Sequence, residues 1–251
     1  MELIDLLKIE TTKDAFLQLE NYGITDSDLP ILVSALENQP TMITAKNVAI
    51  ALGYLKSQEA VELLAKLVQH EHIFVREKAI ISLGLIGLEA CIPILVKAFV
   101  DEDIKHWDVR TEAIEALGEI ASPIAYNALI DMYADEDESL WSDIRDALYR
   151  HPTEIIPTLL RRINDENLKI KKWVIHTLGS PDNIMAFDVL KSYCYHNDSE
   201  IKTFAIYAIG NIRHPDVYHF LRGLLPCPDP TIRLAIYDAI ETNNRIPPKP
   251  D

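Results

Sequence analysis

The sequence has no apolar run of the about 18–20 residues that a helix needs to cross a membrane. Its first ten residues, MELIDLLKIE, carry acids at Glu2 and Asp5 and no basic flank, so we expect no signal peptide. Cysteine is rare: Cys91, Cys194 and Cys227 form an odd, widely spaced set without a CxxC pair, which favours neither a disulfide framework nor a zinc site. We therefore expect a reducing compartment and a cytoplasmic location.

Basic residues are also few. The 24 Lys and Arg against 39 Asp and Glu give a formal net charge of −15. This field would repel a phosphate backbone or an anionic membrane surface, so neither nucleic acid nor a membrane is an expected partner. The charge either serves solubility alone or favours a basic protein partner, whose encounter it would speed.

Motifs of catalysis are missing as well: the chain has no GxSxG, P-loop, GxGxxG or HExxH. The run His70-Glu71-His72 comes nearest to a metal motif, but side chains two residues apart on a helix point to different faces. We therefore expect no catalytic, metal-binding or cofactor-binding residue and a protein that is not an enzyme.

Glycine is scarce too, with eight residues, and its placement indicates a repeat. Five glycines follow apolar helical patterns, a position typical of a left-handed helix C-cap. They are Gly53, Gly84, Gly118, Gly179 and Gly210. The segments before them align, as in FVREKAIISLG and DVRTEAIEALG, and two further copies lack the glycine. Six of the seven copies contain a β-branched residue followed by a cation, at intervals of 26 to 35 residues.

A second amphipathic segment precedes each copy, with apolar residues at three- and four-residue steps. Prolines stand at or near the first turns of these segments, where a missing N–H costs least. No stretch alternates with period two for long enough to form a strand. The pattern predicts an all-α α-solenoid of about seven helix pairs. We expect a helical cap over 1–23, the repeats over 24–241 and an extended tail over 242–251.

The second-helix motif V-R-x-x-A-x-x-A-L-G, present as VRTEAIEALG at 109–118, resembles HEAT repeats. The likeness extends over 24–241 and is strongest to the bacterial HEAT-like repeats of phycobilisome lyase subunits. It implies a right-handed superhelix whose second helices line a concave, partner-binding face. HEAT-like deoxyhypusine hydroxylases hold two irons with several His–Glu pairs, whereas this chain has one. Where the family often places Asp six residues before the Arg, only Asp165 matches, so we expect apolar packing to hold the stack together.

Two stretches, DEDIKHW at 101–107 and DEDESLW at 135–141, repeat an acid triplet followed by a tryptophan after 34 residues. Both lie in loops that are longer than those of the other repeats, where binding groups are often placed. Trp107 and Trp141 are either aromatic anchors for a basic partner or side chains folded under their own loops. The surrounding acids assigned to the same rim are Asp101, Asp103, Asp135 and Asp137.

A further candidate surface comes from the repeat alignment. Arg150, Trp173, His176 and Tyr207 come from three successive second helices and are of residue types frequent at interface hot spots. Trp173 could instead fill inter-repeat core, and the other three could form a solvated face.

We therefore expect a non-enzymatic adaptor, scaffold or inhibitor, for example an immunity-type inhibitor of a basic toxin, that docks a basic protein partner on its concave face and loop rim. The oligomeric state stays open. The alternative is a bilin lyase subunit or chaperone, as the resemblance allows, in which Arg150, Lys172 and His176 would face the bilin propionates.

Overall fold

The computed structural model describes residues 2–38, 40–101, 106–135 and 138–245, apart from the side chains of Asp135, Glu138 and Arg245. Over these ranges the chain forms sixteen α-helices, three short 3-10 turns and no β-strand. It divides into two compact units, Met1–His151 (unit 1) and Pro152–Asp251 (unit 2), and each is described by itself.

Unit 1 contains ten helices. They are α1 (Leu3–Leu6), α2 (Thr12–Tyr22), α3 (Leu29–Glu37), α4 (Met42–Leu52), α5 (Gln58–Leu67), α6 (Ile73–Ile86), α7 (Ile92–Val100), α8 (Trp107–Ile120), α9 (Pro123–Asp135) and α10 (Trp141–Tyr149). The first two precede four helix pairs, and the second helices pack in sequence: α4 on α6, α6 on α8 and α8 on α10.

Unit 2 contains three further pairs. Its helices are α11 (Ile156–Arg162), α12 (Leu168–Leu178), α13 (Ala186–Tyr193), α14 (Ser199–Asn211), α15 (Val217–Leu224) and α16 (Pro230–Arg245). Here α14 packs between α12 and α16. The seven pairs confirm the prediction of an all-α solenoid. None of the helices in the described ranges combines the length and the apolar character required to span a bilayer.

Local signals in the sequence explain where the helices begin. Pro30, Pro93 and Pro157 lie in the first turns of α3, α7 and α11, as predicted, where no intrahelical N–H is lost. The side chains of Asn167 and Asp198 accept hydrogen bonds from the first backbone N–H groups of α12 and α14. These caps satisfy donors that the helix itself leaves unpaired.

The prediction that the five repeat glycines are left-handed C-caps is wrong. Gly84, Gly118 and Gly210 lie inside helices, and the φ angles of Gly53 and Gly179 are −62° and −76°. Each of the five instead lies against a small side chain of the next second helix. A Cβ placed on Gly84 would come within 2.9 Å of the Ala116 Cα, closer than real Cβ contacts allow. The glycines therefore permit the close approach of successive second helices.

The arginine of the repeat motif binds backbone rather than a carboxylate ladder. Arg76 Nη1 donates to the carbonyl oxygens of His70 and Glu71, at 2.9 and 3.0 Å. Arg233 Nη1 makes the same pair of bonds to Cys227 and Pro228, at 2.6 and 3.0 Å. This arginine thus ties the loop within a helix pair to its second helix. The buried side chains of the described residues are overwhelmingly apolar, which supports the expected apolar stacking.

The end of the repeat region lies later than predicted. Helix α16 continues to Arg245, so residues 242–245 belong to it and not to an extended tail. The Asn243 amide donates to the carbonyl oxygens of Gly210 and Ile212, at 3.3 and 3.0 Å, and so holds the last turn against the end of α14. The rest of the predicted tail, 246–251, lies outside the described residues.

Candidate functional site

The two tryptophans of the repeated acidic loops have different environments. Trp107 is the first residue of α8 and is 50% exposed. Trp141 is the first residue of α10, is half-buried, and packs against Tyr133 with ring centroids 5.1 Å apart. The two therefore do not form an equivalent pair: Trp107 is available to a partner, whereas Trp141 is largely used within unit 1.

The acids assigned to the same loops are only partly described. Asp101 follows α7 and is half-buried. Asp135 ends α9, and its side chain is outside the described set, as are Asp103 and Asp137 altogether. The predicted carboxylate ring around the tryptophans stays a prediction.

The predicted aromatic and basic strip is corrected at one member. Trp173 is only 8% exposed and lies in the core of unit 2, so it is not a partner-binding residue. Arg150, in unit 1, forms an ion pair with Glu119. In unit 2, His176 is exposed, and the Tyr207 hydroxyl donates to Asp238 at 3.5 Å. Three members of the strip therefore stay at the surface. Arg150 and Tyr207 contact carboxylates within the chain, and His176 is exposed.

A different surface in unit 1 brings several carboxylates together. It consists of Glu77 on α6 and Asp108, Glu112 and Glu115 on α8, which we call the acidic patch. On α8 the spacing of four and then three residues places the three acids on one face. Packing of α6 against α8 brings Glu77 to them.

The surroundings of the acidic patch disfavour the charged form of two of its carboxyl groups, those of Glu77 and Glu112. Burial raises the pKa of the Glu112 carboxyl, and the charges of Glu115, Glu77 and Asp108 raise it further, while Lys78 opposes them. Burial likewise raises the pKa of Glu77, with Asp108 adding to the effect and Lys78, His106 and Arg76 opposing it. Carboxylates that repel one another and are partly desolvated gain from a cation supplied by a partner.

Two exposed aromatic side chains lie at the N-terminal ends of the two helices that carry the acidic patch. Phe74, in the first turn of α6, is 56% exposed, and Trp107 occupies the corresponding end of α8 at 50%. We call Phe74 and Trp107 the aromatic edge. Large aromatic side chains beside charged groups are typical of interaction hot spots.

The acidic patch was not predicted from the sequence. Its four members occupy four different columns of the alignment, so no single column is acidic. The signal that could have found it is the spacing of Asp108, Glu112 and Glu115 along one helix.

Comparison with known proteins agrees with this architecture. Two overlapping stretches, residues 29–105 and 89–148, match the family model for HEAT repeats. Residues 29–148 of the chain are HEAT repeats. No curated protein matches this chain in sequence.

Several solved structures are similar to this chain. The complex of CpcE and CpcF of phycocyanin lyase from Nostoc sp. PCC7120 is 17% identical, covers 96% of this chain and 92% of its own, and has a TM-score of 0.42. Human deoxyhypusine hydroxylase is 16% identical, with coverages of 96% and 94% and a TM-score of 0.38. An archaeal HEAT-like repeats protein from Thermococcus onnurineus NA1 is 14% identical, covers 91% of this chain and 97% of its own, and has a TM-score of 0.37. Likeness at this level carries no conclusion about activity or partner.

Two of the three cationic residues expected to face a bilin, Arg150 and Lys172, have carboxylate partners within the protein. Lys172 Nζ lies 2.5 Å from a Glu200 oxygen, and Arg150 pairs with Glu119. A propionate would have to displace these carboxylates, so no observation favours the bilin alternative.

Cysteines and metal-ligating residues suggest no reactive centre in the described ranges. Burial raises the pKa of the Cys91 thiol to about 11 and that of Cys194 to about 12, which disfavours the nucleophilic thiolate. Among the described residues, no group of three or more His, Cys, Asp and Glu side chains is placed to hold a metal ion.

Proposed function

We propose that this protein is a non-enzymatic binding protein that docks a basic protein partner on the acidic patch, with the aromatic edge as its apolar anchor. The observation that carries the proposal is the clustering of Glu77, Asp108, Glu112 and Glu115 between α6 and α8. An adaptor, a scaffold and an inhibitor of a basic protein all fit this description.

Repulsion among the carboxylates of the acidic patch supports a role for the patch in binding. Like charges at helical spacings of three and four residues weaken a fold by themselves. Natural sequences retain such local conflicts mainly where function requires them. A basic partner would relieve the repulsion among Asp108, Glu112 and Glu115, and the energy so released would contribute to its binding.

The aromatic edge supplies what carboxylates alone lack. Charged rims mainly steer encounter and set salt dependence, whereas buried aromatic anchors supply much of the affinity. Phe74 and Trp107 expose about half of their surface in unit 1. Covering both would bury apolar area beside the acidic patch.

The proposed cytoplasmic location rests on the state of the three cysteines. Cys91, Cys194 and Cys227 are all free thiols, and two of them are buried. Unpaired thiols are maintained in a reducing environment, so we place the function in the cytoplasm.

The test is comparative affinity capture from extracts of the native cells, with mass spectrometry of the retained proteins. Wild type is compared with Trp107→Ala and with the double variant Glu112→Gln/Glu115→Gln. The control for Trp107→Ala is Ile124→Ala on α9, at a similarly exposed position, and the control for the loss of two negative charges is Glu59→Gln/Glu62→Gln on α5. All three control positions are exposed.

We expect one basic protein that both patch variants lose and both control variants keep, with retention falling as salt rises. A partner retained equally by all variants would refute the location on the acidic patch. Retention of acidic proteins alone would refute the charge complementarity.

A further inference from the structure

A small cavity lies beside the aromatic edge, at the N-terminal ends of α2, α4 and α6. It has a volume of about 230 Å³ and is lined by Thr12, Met42, Lys46, Phe74 and Lys78. Thr12 and Met42 are the first residues of their helices, and Phe74 is the second of α6. In a chain with 39 acids and 24 Lys and Arg, this cavity is lined by two cations and no acid.

Lys46 is buried without a counter-charge. It is 6% exposed, and its ammonium donates to the Glu10 carbonyl oxygen and to Thr12 Oγ1, both at 3.1 Å. Within the described residues it forms no ion pair with a carboxylate. A buried ammonium bonded to neutral oxygens alone is unfavourable unless an anion compensates it. Burial and the charge of Lys78 both lower its pKa.

Lys78 brings a second ammonium to the same cavity from α6. It is half-buried, and its charge also acts on Glu77 and Glu112 of the acidic patch. Placing two like charges together is unfavourable in the empty cavity and favourable once an anion lies between them.

Helix ends add to the positive potential. The helices α2, α4 and α6 have 11, 11 and 14 residues, and α4 packs against both α2 and α6. The N-terminus of a helix carries a partial positive charge, so three such ends around one cavity add to the potential that favours an oxyanion.

The remaining walls are apolar. Met42 and the exposed ring of Phe74 line the same cavity as the two lysines. A bare inorganic anion would leave these walls uncovered, whereas a carboxylate attached to a hydrocarbon or aromatic body would cover them.

We propose that this cavity binds a small organic carboxylate, with its oxygens between Lys46 and Lys78 and its apolar body against Met42 and Phe74. The two hydrogen bonds of Lys46 hold the segment between α1 and α2 against α4, and this structural role accounts for Lys46 alone. It does not account for the second lysine or for the cavity between them. The cavity shares Phe74 with the aromatic edge, and Lys78 interacts with the acidic patch, but the inference does not require the basic partner proposed above.

The experiment is a titration of the full-length protein with benzoate, followed by NMR of the methionine methyl groups. Benzamide serves as the neutral analogue, and inorganic phosphate as the anion without an apolar body. Met132, buried in α9, and Met185, in unit 2, are internal references. The variants are Lys78→Met and Lys46→Met, with Lys97→Met on α7 as the control for one lost positive charge.

We expect saturable shifts of the Met42 methyl with benzoate, about tenfold weaker binding in Lys78→Met, and no change in Lys97→Met. Benzamide should shift nothing. Lys78→Met carries the test if Lys46→Met fails to fold, because Lys46 also holds the α1–α2 segment. Equal benzoate binding by Lys78→Met and wild type, or a Met42 response to phosphate but not to benzoate, would overturn the proposal.

Discussion

Gly210 on α14 and Ala239 on α16 lie so close that a methyl group on the glycine would come within 2.8 Å of the alanine Cβ. The same relationship joins Gly84 to Ala116 and Gly118 to Ala147 in unit 1. One small residue from each second helix therefore faces one from the next. This pairing, and not backbone conformation, explains why glycine recurs with the period of the repeat.

Replacing Gly210 by alanine should destabilise unit 2. The added Cβ has no room, and overpacking of this kind costs about 1–3 kcal/mol. The control is Gly223→Ala on α15, where a Cβ meets nothing within 4 Å and the free energy of unfolding should rise by about 0.5–1 kcal/mol. Urea unfolding followed by circular dichroism measures both. Equal effects of the two substitutions would contradict the packing role, and adding Ala239→Gly to Gly210→Ala should restore stability in part.

Removing the Asn47 amide should loosen the start of unit 1. Asn47 is fully buried, and its Nδ2 donates to the carbonyl oxygens of Leu7 and Ile9, at 3.2 and 2.8 Å. Asn47→Ala leaves both acceptors unpaired, so we expect a loss of about 1–3 kcal/mol and faster hydrogen exchange in α1. Asn38→Ala, at an exposed amide that donates to Ser34, should cost much less. A larger loss for Asn38→Ala would disprove the role of burial.

The raised pKa of Glu112 predicts a pH-dependent effect of its removal. Because the folded state holds this proton more tightly than the unfolded chain does, the stability that Glu112 contributes is present below the ordinary glutamate pKa and is lost as pH rises. At pH 7 Glu112→Gln should therefore raise the free energy of unfolding, by about 0.5 kcal/mol at this half-exposed position. The gain should vanish near about pH 3, where both states are protonated. Urea unfolding at the two pH values tests this, with Glu62→Gln matching the charge change, and a gain that grows at low pH would contradict the assignment.

The two loop tryptophans should respond differently to truncation. Trp141→Ala removes the contact with Tyr133 and should cost about 1–3 kcal/mol, whereas Trp107→Ala should stay within about 0.5 kcal/mol. Thermal unfolding provides the comparison. Acrylamide should quench Trp107 strongly and Trp173 weakly in proteins that keep one tryptophan each. Similar stability losses for both variants would mean that Trp107 is also structural.

Much of the fold could be predicted because the apolar residues recur with the period of the repeat. Seven β-branched or related positions at regular intervals predicted seven helix pairs, and prolines such as Pro30 and Pro93 marked the first turns. The glycine interpretation failed because the helices continue beyond the apparent end of the pattern. Helix α6 runs on past Gly84 through Leu85 and Ile86, and the positive φ falls at Gly87, three residues later.

The site was harder to predict, since it depends on neighbours that lie far apart in the sequence. Lys78 and Glu112 in unit 1 occupy the same position of the repeat as Trp173 in unit 2. The two charged side chains are half-buried, whereas the ring of Trp173 is buried. Periodicity predicts the column but not its burial. The cavity at Lys46 also needs Thr12 of α2, a segment outside the repeat alignment.

Photo-crosslinking from position 107 in native cells tests the central claim most directly. A benzophenone amino acid replaces Trp107 in one protein and Ile124, on α9, in the control. The account predicts that position 107 yields an adduct with one basic protein, and that Glu112→Gln/Glu115→Gln abolishes it while Glu59→Gln/Glu62→Gln does not. An adduct from position 124 but none from position 107 would contradict docking at the acidic patch.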